Sequence, residues 1–145
     1  MGERVIVRQN SQFETHVLAM DPHNPDDSRF HPVAEVHHLT PYGLLLSGLG
    51  SCTAIVLHTY AQHREVALQE VELDLTYDRV FAEDCEQCEG IDEYHEQITE
   101  KIRLIGDLTP DEERRLFMVS KHCPIHKMLT QGITVQSSLA EEETT

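Results

Sequence analysis

The run "TPYGLLLSGLGSCTAIVLHTYAQH", Thr40 to His63, constrains the fold more than any other part of this 145-residue chain. Thr40 supplies a capping hydroxyl, and Pro41 fits the first helical position, where a backbone N–H has no intrahelical partner anyway. Leu45, Leu49, Cys52, Val56 and Tyr60 then recur at three- and four-residue spacing, while Leu44, Leu46 and Ile55 cover much of the remaining circumference. A helix that is apolar nearly all round is a buried one. Glycine inside a helix costs about 1 kcal/mol against alanine. Gly48 and Gly50 nevertheless sit two residues apart among Ser47, Ser51, Thr53 and Ala54. That composition predicts a close approach by another part of the chain, and the turn at Cys123 is the expected neighbour.

The remaining elements are shorter. Arg4–Arg8 and Phe13–Met20 read as two strands joined across the polar break "QNSQ". "DPHNPDDSRFHP" carries three prolines in twelve residues and reads as a loop. "VELDLTYDRV" alternates strictly, with Val71, Leu73, Leu75 and Tyr77 on one side, as a half-buried strand does. A partner strand over Tyr94–Ile105 alternates through Ile98, Ile102 and Leu104. "TPDEE" then opens a helix, with Thr109 as cap, Pro110 at the first position and Glu112 closing a capping box. That helix is expected to end near His122. Cys123-Pro124 restarts a short one, Gly132 stops it, and Ile133, Val135 and Ser137 read as a last strand. Helices that are segregated from strands, not alternating one for one, predict an α+β fold with a mainly antiparallel sheet. One domain over residues 1–139 and an acidic tail over 140–145 account for the length.

Charge narrows the partners. Eleven basic against 26 acidic residues give a net charge of −15, a field that repels phosphate backbones, so nucleic acid is not expected as a partner. "MGERVIVRQNSQ" has no apolar signal-peptide core. No apolar run is expected to reach the roughly 20 residues of a membrane span, so no membrane is expected either. Four cysteines without an export signal predict a reducing cytoplasm, where thiols are catalytic, metal-binding or buried. The ten histidines are read mostly as surface or interface residues.

Cys123 precedes a proline at a helix start, where free N–H groups and the helix dipole favour a thiolate. His122 or His126 could add charge or accept its proton. The same position also suits a small apolar cap, and both readings stand. Cys52, mid-helix on an apolar face, reads by itself as a buried hydrophobe whose surroundings oppose ionisation.

Taken together, "TPYGLLLSGLGSCTAIVLHTYAQ", "GDLTPDEERRL" and "CPIHKML", about seventy residues after the first cysteine, resemble the OsmC/Ohr superfamily (osmotically inducible protein C and organic hydroperoxide resistance protein). The acidic "AEDCEQCEG" resembles an insertion typical of one branch. The resemblance implies an OsmC-like α+β fold, an intertwined homodimer with its sites at the interface, and thiol-dependent reduction of organic hydroperoxides. By motif, Cys52 would be the peroxidatic cysteine and Cys123 the resolving one. The partners implied are a hydrophobic hydroperoxide and a thiol reductant, with no cofactor. A greasy pocket of Leu45, Leu49, Ile55, Val56 and Phe117 would favour alkyl peroxides. Active members carry a glutamate ten residues before the peroxidatic cysteine, partnered by an arginine. Tyr42 stands there in this chain, followed by Gly43. Arg29, His38 and His126 are the supporting groups that could substitute. The alternative is a non-catalytic or ligand-binding protein that keeps the fold and lacks the activating pair.

Cys85 and Cys88 form a CxxC flanked by Glu83, Asp84, Glu86 and Glu89, carboxylates that oppose thiolate formation. A zinc site completed by histidines such as His95, a regulatory disulfide and a plain exposed loop all remain open.

Overall fold

The computed structural model describes residues 3–81 and 94–141. In chain order it contains β1 (Glu3–Asn10), β2 (Thr15–Ala19), β3 (His31–Pro32), a single 3₁₀ turn (Val36–His38), α1 (Pro41–His63), β4 (Leu68–Phe81), β5 (Tyr94–Gly106), α2 (Pro110–Ser120) and α3 (Pro124–Gln131). The five strands form one sheet in the order β3-β2-β1-β4-β5, every neighbour antiparallel. The fold is α+β, as the segregated helices predict.

Strand alternation decides which face is buried. Val5, Val7, Val71, Leu73, Leu75 and Tyr77 point inward, where α1 lies across the sheet. On the other face Arg4 pairs with Asp74 at 2.6 Å and Arg8 with Glu72 at 3.1 Å, cross-strand pairs that face solvent. The β1–β2 turn is tightened by the Asn10 carboxamide, whose Oδ1 accepts from the N–H groups of Gln12 and Glu14, both at 3.0 Å. Phe13 takes a positive φ of 65° there.

α1 starts as its sequence predicts, with the Thr40 hydroxyl accepting from the Gly43 N–H. Leu46, Leu49, Thr53, Ala54, Leu57, His58 and Ala61 are buried. At Gly50 the sheet comes so close that a Cβ would lie 2.8 Å from both Val7 Cγ2 and Leu75 Cδ1. The close approach foreseen for the small residues is therefore made by side chains of the sheet. Gly48, in contrast, has open space before it.

Several expectations are corrected. α1 is not buried all round: Leu44, Leu45 and Ile55 are 41%, 40% and 46% exposed, because the sheet covers only one side of the helix. α1 does reach the length and composition of a membrane span, being 23 residues long with a mean hydropathy of 1.4 in its most apolar window. A helix that forms the core of a sheet-and-helix layer meets the same test. The proline-rich loop ends in β3, whose His31 lies opposite Ala19 of β2. Finally, residues 133–139 form no strand. Alternation alone does not make one without a neighbouring edge to bond, and Ile133, Val135 and Leu139 are 64%, 80% and 96% exposed. His58 also departs from a surface reading. It is fully buried, with its Nε2 2.9 Å from the Gln9 carbonyl oxygen.

Candidate active site

α2 and α3 pack on α1, and the sharp turn between them carries Cys123 to the middle of that helix. α2 is held at its start by a complete capping box between Thr109 and Glu112 and is anchored in the core by Leu116. It ends at Ser120, two residues earlier than its sequence suggests. Cys123 is the N-cap of α3, with extended backbone angles and no exposed surface. Its sulfur accepts from the His126 N–H at 3.5 Å. Pro124 occupies the first helical position and has no N–H to offer.

The Cys52 thiol, half-buried on α1, meets this turn directly. The Cys123 thiol and the backbone N–H of Ile125 are the two groups of the turn that act on its ionisation. The start of α3 thus holds the Cys123 sulfur through the His126 N–H and presents the Ile125 N–H to the Cys52 thiol. Burial in apolar surroundings pushes the Cys52 thiol up from its ordinary value, and the Cys123 thiol adds to the rise. The Ile125 N–H works against both, because a donor at a helix N-terminus favours the thiolate.

Beside the pair lies a cleft of about 450 Å³. Leu45, Leu49, Phe117 and Leu129 line one part of it and Glu96, Glu100 and Lys121 another, and Ser120 and His126, three residues either side of Cys123, bring the thiol turn to its edge. Of the expected greasy pocket, Leu45, Leu49 and Phe117 line this cleft. Ile55 and Val56 do not: Ile55 projects to solvent and Val56 packs against the core.

The supporting residues separate. His126 belongs to the site through its backbone and its place in the cleft. His38 lies in the 3₁₀ turn beyond the start of α1, roughly 15 Å of helix axis from Cys52. There it packs edge-on against His37 at 4.4 Å and borders a different cleft, with Met20, Asp27 and His31. Arg29 is an exposed guanidinium clasped by the Asp27 carboxylate at 2.9 and 3.1 Å, which holds that carboxyl far below the usual range. Neither is among the groups that shift the Cys52 thiol. Cys85 and Cys88 lie outside the described residues.

Two groups escape the sequence reading. Arg79 of β4 donates from Nη2 to the Tyr42 hydroxyl at 3.4 Å, and the Tyr42 ring stacks on Tyr77 at 4.5 Å. An arginine therefore does reach Tyr42, ten residues before the helix cysteine, from a strand instead of the N-terminal region. Glu100 of β5 is the other. It stands in the inward row with Ile98 and Ile102, so its parity in the alternation was the available signal.

A family model described as "OsmC-like protein" matches residues 34–138. No curated protein matches the sequence. Among solved structures, the chain is similar to an OsmC-like hydroperoxide resistance protein from Jannaschia sp. CCS1, with a TM-score of 0.60 and 16% identity over 99% of this chain and 96% of that one. An OsmC-like protein from Mycoplasma pneumoniae superposes with a TM-score of 0.49 and 17% identity, over 86% and 85% of the two chains. A protein from Legionella pneumophila, described as organic hydroperoxide resistance protein OsmC, gives 0.45 and 14% over 86% and 88%.

Proposed function

The chain belongs to the OsmC-like family, and we propose that it is a thiol-dependent peroxidase that reduces organic hydroperoxides through Cys52 and Cys123. The observation that carries this reading is that the start of α3, whose His126 N–H holds the Cys123 sulfur, lies against the Cys52 thiol. A helix start is a positive end, and it supplies to Cys52 the stabilisation of negative charge that Tyr42 cannot. In this reading the Cys52 thiolate attacks the terminal peroxide oxygen. The S–O bond forms, the O–O bond breaks, and the alkoxide leaves as the alcohol after taking a proton. The resulting sulfenic acid is attacked by the Cys123 sulfur, a disulfide forms and water leaves. A dithiol reductant restores both thiols by exchange. The apolar cleft favours alkyl hydroperoxides over hydrogen peroxide, and the working form is a homodimer in a reducing cytoplasm.

The rival is a ligand-binding protein of the same fold that carries out no redox cycle. The upward push on the Cys52 thiol favours it, since a protonated sulfur is a poor nucleophile. Cumene hydroperoxide and dithiothreitol separate the two readings. Wild type should consume peroxide, Cys52→Ser should not, and Cys123→Ser should accumulate a sulfenic acid that dimedone traps. Equal slow consumption by wild type and Cys52→Ser would leave the ligand-binding reading in place.

A further inference from the structure

β5 turns a row of side chains toward the helices, and in its middle, where an aliphatic residue would pack, stands Glu100. It lies directly across the ladder from Leu75, one of the two side chains that fill the notch at Gly50, two residues before Cys52 on α1. Its Oε1 is buried and has no hydrogen-bond partner among the described residues. Such a group costs desolvation with nothing returned by the fold, so a ligand or a reaction is the natural use for it. Glu100 opens onto the cleft beside the thiol turn, facing His126, whose N–H holds the Cys123 sulfur. Burial pushes the carboxyl upward, and His126 across the cleft only partly opposes this, so the proton is retained further toward neutral pH than on an exposed glutamate.

We propose that Glu100 is the general acid of the hydroperoxide reaction, protonating the alkoxide released when the Cys52 sulfur takes the terminal oxygen. The inference rests on the peroxidase reading. The sulfur electron pair forms the S–O bond, the O–O pair leaves with the alkoxide, and that oxygen takes the carboxyl proton to become the alcohol. Sulfur is oxidised by two electrons and the peroxide is reduced by two. The carboxylate regains its proton from water at the cleft mouth before the next turnover.

The test compares two oxidants in single turnovers, following Cys52 oxidation by mass spectrometry. Cumene hydroperoxide expels an alkoxide, which needs a proton. Peracetic acid expels a carboxylate, which does not. Glu100→Gln keeps the shape and loses the proton. It should slow the reaction with cumene hydroperoxide about 10²–10³-fold and leave the peracetic acid rate within a few-fold of wild type. Equal rates for variant and wild type on both oxidants would overturn the role of Glu100 and leave the peroxidase reading standing. Equal slowing on both would also overturn it, because a general acid must discriminate between leaving groups. A wild type that oxidises Cys52 with neither reagent would sink the peroxidase reading, and Glu100's role with it.

Discussion

Cys52 is pulled in two directions, and the balance can be read from its alkylation. Because burial and the Cys123 thiol both raise it, its reaction with iodoacetamide should show a midpoint above that of an unhindered thiol. Cys123→Ala removes one of those two causes and should move the midpoint down, with peptide mass spectrometry isolating the Cys52 signal. An unmoved midpoint would mean that the two thiols do not interact in solution. Glu100 makes a prediction of opposite use. Its folded carboxyl is raised, so below the ordinary glutamate range both folded and unfolded chains hold the proton and nothing is lost. As pH rises through that range the unfolded chain ionises first and stability falls, until Glu100 itself ionises in the folded protein. Glu100→Gln has no such proton. Its stability relative to wild type should therefore be higher at neutral pH than near pH 4, measured by urea unfolding at the two pH values.

At the scale of elements, the glycines of α1 are not equivalent. Gly50→Ala would place a methyl 2.8 Å from Val7 and Leu75, an overpacking that should cost about 1–3 kcal/mol in thermal or urea unfolding. If that variant melts like wild type, α1 does not lie on the sheet in this register. α2 depends on its cap, and through α2 so does the Cys123 turn. Thr109→Ala should cost about 1 kcal/mol and slow disulfide closure, since the turn is then carried by a frayed helix. The strands, the capped helices and the Cys123-Pro124 restart were legible because each rests on local chemistry: alternation, a hydroxyl cap, a proline at the first position. The alternation of Ile133, Val135 and Ser137 suggests a last strand, yet the segment pairs with no strand among the described residues, and pairing is a tertiary matter. Glu100 has the parity of Ile98 and Ile102, but a carboxylate among aliphatic residues gives no local sign of a site, and the ladder is what sets it opposite Leu75.

At the scale of the molecule, one side of α1 carries apolar side chains that the sheet leaves uncovered. Leu44, Leu45 and Ile55 are exposed on it, as are Phe117 and Met118 on α2, and Gly48 between them leaves room for close contact. A second copy of the chain is the occupant that the family reading proposes, and Ile55→Glu should convert the dimer to monomer in analytical ultracentrifugation. A wild type that sediments as a monomer would refute the dimer.

The sequence by itself determined the three helices, the four longer strands, the antiparallel class and the start of every long helix, because those depend on residues a few positions apart. It also carried the two cysteine motifs through which the family resemblance ran. Only the tertiary structure decided what meets what. The Cys52 thiol lies against the Cys123 turn at the start of α3, Arg79 reaches Tyr42, and Glu100 shares the cleft with His126. Arg29 and His38, plausible by position in the chain, are held elsewhere by Asp27 and by the 3₁₀ turn. Those contacts join elements tens of residues apart, and their geometry is set by the packing of α1, α2 and α3 on the sheet, which no local pattern encodes.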